Sequence, residues 1–386
     1  MANQHLIEYD CYFLQALNEK YGSSTARFRT IAMHHIGAIG IVVISPYASK
    51  FYHIRLAQAG CGYAKSSLKG GVGVRMAYHS EGGNGSYENE SEISVAVVHL
   101  SAYEGEAYYR TRNDDILTIM RAMDFGDGYG LIKPRGHVFV LGDLNYRTRV
   151  DEEGMKKLLA MSDESSSNGG ESAYELNLKF DELTNGMRKG DIFLGFQEAK
   201  IEFQPTYKFV HNTAIYNWKR SPSWCDRILY QATYEGADRN TLRELNKGEG
   251  EAKDPSLPHV SKYHYIDSLM GSDHRPVYLW ITVPISPPEP IISSAGYLQI
   301  IGTESIELIR AEEEVELENM DVRNTLLSGP TSIYLKPTKY DFLIQNIVRP
   351  SSDSIIGYGL WFSTTRKGRL TLLAILLVLW FLRLWY

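Results

Sequence analysis

The chain has 386 residues, 44% of them apolar and 22% charged, with a formal net charge of −6. This is the composition of a folded protein with room for one large domain or two moderate ones. Its acidic balance argues against a nucleic-acid binder, which carries a basic excess, yet is compatible with a local basic pocket for a small phosphate ligand. Cys11, Cys61 and Cys225 are odd in number, far apart and outside metal-ligand spacing, which points to a reducing compartment. Asn84 and Asn89 sit in N-x-S patterns, too short a signal to imply secretion.

In chain order, the start "MANQHLIEYDCYFLQALNEKYG" has acidic residues and no sustained apolar stretch, so it does not read as a signal peptide. Leu14 to Tyr21 reads as helix. "AIGIVVIS", Ala38 to Ser45, and "SVAVVHLSA", Ser94 to Ala102, read as buried strands of the continuous apolar type. Between them "LKGGVGVRM" is Gly-rich and then alternates, and "YHSEGGNGSYENES" reads as a surface loop. "RTRNDDILTIMRAM" has helical spacing, with Ile116, Ile119 and Met120 on one side. The strand His137 to Leu141 follows, and then a small, polar stretch, "MSDESSSNGGES", expected to be a mobile loop. "FQPTYKFV", "SWCDRILY" and "HRPVYLWITV" each join a polar cluster to a strand-like run. Strands mixed with helices, without strict alternation, indicate an α/β or α+β sandwich.

Past Val283 the Pro-rich "PISPPEPIISS" marks a domain edge. Ala295 to Ile347 fits either a small β module or a partly ordered spacer. "DSIIGYGLWFS", Asp353 to Ser363, suits a membrane surface. From Leu370 to Tyr386 the chain is almost purely apolar, and as a helix it would reach roughly 25 Å, slightly short of a hydrocarbon core. Arg383 can snorkel to the far interface beside Trp385 and Tyr386, and Arg366, Lys367 and Arg369 favour the cytosolic side. A buried terminal helix is the alternative, but apolarity on every side suits a tail anchor better.

The segment "HVFVLGDLNYRTR" carries the first chemical signal: an apolar run that ends on Gly142 and then presents Asp143 and Asn145. In extended backbone these two side chains would share a face; the bland alternative is an Asx-rich turn. His99 in "VVHLSA", Asp226 and Arg227 in "SPSWCDRILY", and Asp273, His274 and Arg275 in "GSDHRPVY" repeat the pattern of an apolar strand with a polar end. Any one of them has a structural reading, such as a satisfied histidine or a buried Asp226–Arg227 pair. Together they indicate one polar floor. Phosphate-ester hydrolysis needs an attacking water, a base and neutralisation of phosphoryl oxygens, with a divalent metal as the usual aid. Asp143 can activate water, Asn145 can orient it, and His99 and His274 can donate to phosphoryl oxygens. Asp273 can fix the His274 imidazole or help hold a metal.

"LGDLNYR" and "SPSWCDRIL" resemble the two signature motifs of the inositol polyphosphate 5-phosphatases, and "LKGGVGVR", "VVHLSAYEGE", "FQPTYKF" and "SDHRPV" occur in that family's order. The resemblance covers roughly Ile36 to Val283, and the tail anchor makes it most similar to fungal-type, membrane-tethered phosphatidylinositol 4,5-bisphosphate 5-phosphatases of the endoplasmic reticulum. It implies a DNase I-like fold, two packed sheets flanked by helices, and Mg2+-dependent removal of the 5-phosphate from a phosphoinositide lipid in a cytosol-facing leaflet. Asp143 then corresponds to the water-activating Asp, Asn145 to its phosphate-orienting partner, His99 and His274 to phosphate-contacting histidines, and Asp273 to the supporting carboxylate and metal ligand. Tyr207 and Lys208 match the pair that reads the 4-phosphate. Lys69, Asp226, Arg220 and Arg227 would line the substrate pocket, as would Lys219, which lies one position nearer the motif than in many relatives. Leu68 replaces the Asn of the usual "NKGG".

A larger departure is at the N-terminus, where members place a strand ending in Asn and a Gln-Glu pair whose Glu is the main metal ligand; Glu19 lies in the helix that follows these. The expectation is therefore an N-terminally incomplete catalytic domain over residues 1–284, a spacer over 285–352, and a juxtamembrane segment with tail anchor over 353–386. The competing expectations are a tethered phosphoinositide-binding protein with a lost metal site, and a nuclease of the same broad fold. The acidic charge and the anchor disfavour the nuclease.

Overall fold

The structure, a computed structural model, describes residues 2–23, 27–79, 90–150, 153–156, 178–234, 255–299 and 333–385. Asn84, Asn89, most of "YHSEGGNGSYENES" and all of "MSDESSSNGGES" lie outside the described residues, as does most of the stretch expected to be a β module or spacer.

Helix α1 (Ala2–Tyr21) leads into the hairpin β1 (Arg29–Ile36) and β2 (Ile39–Ser45). Strands β3 (Phe51–Gly60), β4 (Gly70–His79) and β5 (Glu90–His99) precede helix α2 (Glu106–Ala122) and strand β6 (Gly136–Asp143). Helix α3 (Glu182–Lys189), β7 (Phe196–Glu198), β8 (Asp226–Gln231), β9 (His259–Tyr265) and β10 (Val277–Thr282) complete the body. Among the described residues the strands form one six-stranded sheet, ordered β3-β4-β5-β6-β8-β7, and the two antiparallel pairs β1-β2 and β9-β10. Among the described strands only the β5–β6 pairing is parallel, with α2 in the connection between them.

Alternation sorts the side chains into layers. Ala96 and Val98 of β5 and Val138 and Val140 of β6 face α2, where Ile116, Ile119 and Met120 are buried as their spacing predicted. Intervening residues face the other way: Val72, Val74 and Met76 of β4 pack on β1 and β2, while Ile228 and Tyr230 of β8 pack with Val260 and Tyr263 of β9. The result is a sandwich in which the two hairpins cover one face of the large sheet and α2 the other. Glycine in "KGGVGVR" has a packing reason at position 73, where an added Cβ would lie 2.5 Å from Met123 Sδ. A side chain there would have to displace Met123 and Phe125 from the core between β4 and α2.

The Pro-rich stretch is not a separate linker. Ile291, Ile292 and Leu335 are buried in the α2-side core, and Tyr297 bridges to Tyr334, so the expected edge at 284/285 runs through continuous packing. Apolar side chains there cap a core edge, which a Pro-rich composition does not reveal. The C-terminal part is helical: α4 (Lys339–Leu343), a π-helical turn at Ile344–Val348, α5 (Arg349–Thr364) and α6 (Arg366–Trp385). Helix α6 starts four residues before the expected Leu370, is long and apolar enough to cross a membrane, and has almost none of its surface buried in the protein. Its 20 residues give a length of about 30 Å.

Candidate active site

The strand ends meet because of register. Gly70 pairs with His99 across β4–β5, His99 with Asp143 across β5–β6, and Asp143 with Asp226 across β6–β8. These residues form one row perpendicular to the strands. His99, Asp143 and Asp226 also have the parity of Val97, Leu141 and Ile228, so all three lie on the hairpin side of the sheet. His274 comes from the segment entering β10, aligned by its bridge to Tyr207.

Two acid–imidazole pairs result. His99 Nε2 stands 3.1 Å from Asp143 Oδ2, and the Lys69 ammonium approaches the same ring nitrogen. His274 Nδ1 is 2.9 Å from Asp226 Oδ2, which also accepts from the Thr206 hydroxyl at 2.7 Å. Burial raises both carboxyls, but only Asp226 ends above the usual range. At Asp143 the hydrogen bond from His99 and the charges of His274, His99 and Lys69 outweigh burial and hold it below that range. Burial lowers the His274 imidazole, but Asp226, Asp143 and Asp273 outweigh it and raise the group. Burial also lowers Lys69, with Asp143 the largest opposing influence. Two neighbouring carboxyls whose affinities for protons are driven apart suit different roles: Asp143 as an ionised acceptor, Asp226 as the carboxyl that shares a proton with His274.

Asn145 does not share the face of Asp143. It lies in the left-handed region at φ 55°, and its backbone N–H donates to Asp143 Oδ1 at 3.0 Å, closing an Asx turn. Its amide donates to Leu100 O at 3.1 Å, and Arg147 donates to its Oδ1. Asn145 thus ties the β6 end to the β5 end.

Asp273 was expected to support His274 and to help hold a metal. Its carboxylate instead pairs with Lys208 Nζ at 3.0 Å, and the carboxylate on His274 is Asp226. Successive residues in extended chain point to opposite sides, which turns Asp273 away from its neighbour's site. Lys208 lies beside the Tyr207 ring, and that ring is 4.5 Å from the His274 ring. Arg227 does not line the pocket. It is fully buried on the α2 side of β8, pairing with Asp181 at 2.9 Å and Glu198 at 2.5 Å, because its parity is opposite to that of Asp226. The expected alternative of a buried Asp226–Arg227 pair fails for the same reason. Arg220 lies over the Tyr103 ring, 5.7 Å from its centroid, and Lys219 is exposed on the same loop.

Sequence reasoning missed Thr206 and Arg147. The Arg147 guanidinium is buried 4.6 Å from the Tyr207 ring, so Arg147, Tyr207 and His274 stack in series. Its place inside "LGDLNYR", two residues past Asn145, was the available signal.

Among the described residues, the group of acids and imidazoles close enough to hold a metal ion is Asp143, Asp226 and His274, whose donor atoms all lie within 4.8 Å of one another. The two carboxylates suit a hard divalent cation that shares its shell with phosphate oxygens, whereas the His274 imidazole suits a softer metal.

Residues 2–280 match the profile of the family described as endonuclease/exonuclease/phosphatase family 2. The chain belongs to that family. Its relatives include synaptojanins and proteins named as inositol polyphosphate 5-phosphatases. Synaptojanin-2 of Rattus norvegicus is 28% identical over 262 residues, 65% of this chain and 16% of that protein. Type I inositol polyphosphate 5-phosphatase 4 of Arabidopsis thaliana is 29% identical over 56% of this chain and 35% of its own length. Polyphosphatidylinositol phosphatase INP53 of Saccharomyces cerevisiae is 31% identical over 54% of this chain and 15% of its own. The chain thus spans well under half the length of these family members. A solved structure of the inositol polyphosphate 5-phosphatase domain of a synaptojanin, in complex with inositol (1,4)-bisphosphate and calcium ion, superposes with a TM-score of 0.53 at 22% identity. The match covers 83% of this chain and 77% of that one, and establishes the shared DNase I-like fold of this phosphatase family.

Proposed function

We propose that the protein is a Mg2+-dependent phosphoinositide 5-phosphatase that hydrolyses the 5-phosphate of phosphatidylinositol 4,5-bisphosphate. The observation that carries this reading is the row His99–Asp143–Asp226, with His274 and Lys69 beside it. Asp143 and Asp226 would hold the cation, whose chemistry there is neutralisation of phosphoryl charge. Asp143, held ionised, accepts the proton of the attacking water. The His99 and His274 imidazoles and the Lys69 ammonium donate to phosphoryl oxygens as charge develops in the transition state. Lys208, exposed enough to reach a ligand and already paired with Asp273, suits the neighbouring ring phosphate. Helix α6 would anchor this site at the cytosolic face of the endoplasmic reticulum membrane.

The test is phosphate release from vesicles containing the 4,5-bisphosphate lipid, with Mg2+ and with chelator. Wild type should release phosphate only with the metal, and Asp143→Ala should lose at least a factor of 100, within the range for a removed general base. Sustained turnover by Asp143→Ala would overturn the assigned role. Vesicle binding without turnover by wild type would point to the tethered binding protein instead.

A further inference from the structure

Lys69 stands on a loop that is held in place from the far end of the chain. Between Gly60 and Gly70, which pair across β3–β4, the loop makes a tight excursion with Ala64 at φ 52° and Lys65 at φ 62°. Positive φ at two successive non-glycine residues is costly and persists only where surroundings enforce it. Internal hydrogen bonds close the loop, Cys61 N–H to Lys69 O at 2.9 Å and Ser66 N–H to Tyr63 O at 3.1 Å, but its outward polar groups look to the C-terminal helices.

Four side chains from that region grip it. Gln345 accepts from Gly60 N–H at 2.8 Å and donates to Gly60 O at 3.1 Å, as a paired strand would. Asp353 accepts from Ser67 N–H and from the Ser67 hydroxyl, both at 2.6 Å. Arg349 donates to Ser67 Oγ at 3.1 Å, and Ser352 donates to Ala64 O at 2.7 Å. The fit is close enough that a Cβ on Gly60 would come within 2.8 Å of Arg349 Cδ. Gln345 lies in the π-helical turn at Ile344–Val348, a local widening that changes the direction in which its side chain leaves the helix. Just before that turn, Asp341 accepts from Arg121 Nε and Nη2 at 2.9–3.2 Å and pins α4 to α2. All four gripping residues lie beyond the region that the family profile matches.

We propose that Gln345, Arg349 and Asp353 are positioning residues for Lys69. They brace the loop of residues 60–67 from outside, and so set where the Lys69 ammonium meets His99 and Asp143. The helices that lead into the apolar C-terminal helix are then part of the phosphate-binding apparatus, not only a connection to the membrane. The claim about Lys69 rests on the phosphatase reading; the brace itself does not.

The experiment uses the full chain in detergent micelles and two readouts. The first is amide hydrogen exchange over residues 61–69 without ligand. Asp353→Ala and, from the loop side, Ser67→Ala should each speed exchange at least tenfold while leaving β5 and β6 protected; unchanged exchange in both variants overturns the brace. The second is calorimetric binding of soluble inositol 1,4-bisphosphate to wild type, Asp353→Ala, Lys69→Ala and the double variant. If Asp353 acts through Lys69, each single variant weakens binding several-fold and the double variant is no weaker than Lys69→Ala alone. Multiplicative weakening in the double variant, or wild-type affinity in Asp353→Ala, overturns the positioning role. A wild-type chain that binds no inositol bisphosphate would reject the phosphatase reading, and the exchange readout would still decide the brace.

Discussion

Replacing Arg227 with methionine separates two readings of "SPSWCDRIL". If Arg227 lined the substrate pocket, its loss would act on turnover. The structure places it on the opposite side of β8, fully buried, with its guanidinium shared between Asp181 and Glu198. Methionine of similar volume keeps the packing but leaves the buried Asp181 and the partly buried Glu198 without their cation, a change that costs about 3–5 kcal/mol. The lower half of that range is expected. Asp181 keeps the Thr184 N–H and hydroxyl, both at 2.8 Å, and Glu198 keeps the Tyr263 hydroxyl at 2.8 Å. At roughly 2 °C per kcal/mol for a large domain, the melting midpoint should fall by about 6–8 °C. Scanning fluorimetry of the purified chain gives the midpoint, and phosphate release at 20 °C gives turnover per folded molecule. Unchanged melting together with lost turnover would refute the assignment of Arg227 to the core.

Lys208→Ala should weaken substrates that carry the neighbouring ring phosphate by about 1–3 kcal/mol, the scale of one charge-assisted contact, and leave substrates without that phosphate unaffected. Competition between the two substrate types measures it, and an unchanged preference would refute it. Burial raises the Asp341 carboxyl, but the hydrogen bonds from Arg121 and Thr338 outweigh it and hold the group below the usual carboxylate range. A carboxyl depressed on folding contributes stability above its unfolded value and loses it as pH falls through the folded one. The difference in melting midpoint between wild type and Asp341→Asn should therefore be full at pH 6, begin to shrink below about pH 4 and close as pH falls through the folded value; a gap that stays constant from pH 6 down to the lowest pH at which the chain remains folded would contradict the pairing. Ending the chain before Leu370 should release it from membranes into the soluble fraction, and sedimentation with vesicles would show another lipid-binding segment.

How much of the site was legible depended on how far the information travels along the chain. The buried strands at β2, β5 and β6 and the α2 face announced themselves by apolar runs and spacing, since those patterns are local. Strands β1 and β3 did not, because "RTIAMHHI" and "FYHIRLAQAG" mix polar and apolar residues and become strands through their partners. The Asx turn at Asn145 was foreseen only as the bland alternative, yet a left-handed Asn that caps the end of β6 is what builds the site.

By itself, the sequence determined that strand ends would present Asp143, His99, Asp226 and His274, and that an apolar helix would end the chain. Both follow from local pattern and from ordered motifs. Tertiary structure alone decided that Asp226 and not Asp273 holds His274, that Arg227 belongs to the core, and that Gln345 and Asp353 reach back to the loop carrying Lys69. The first two outcomes rest on strand parity and register between distant segments, where a shift of one residue exchanges pocket for core, and the third on the packing of the C-terminal helices against that loop.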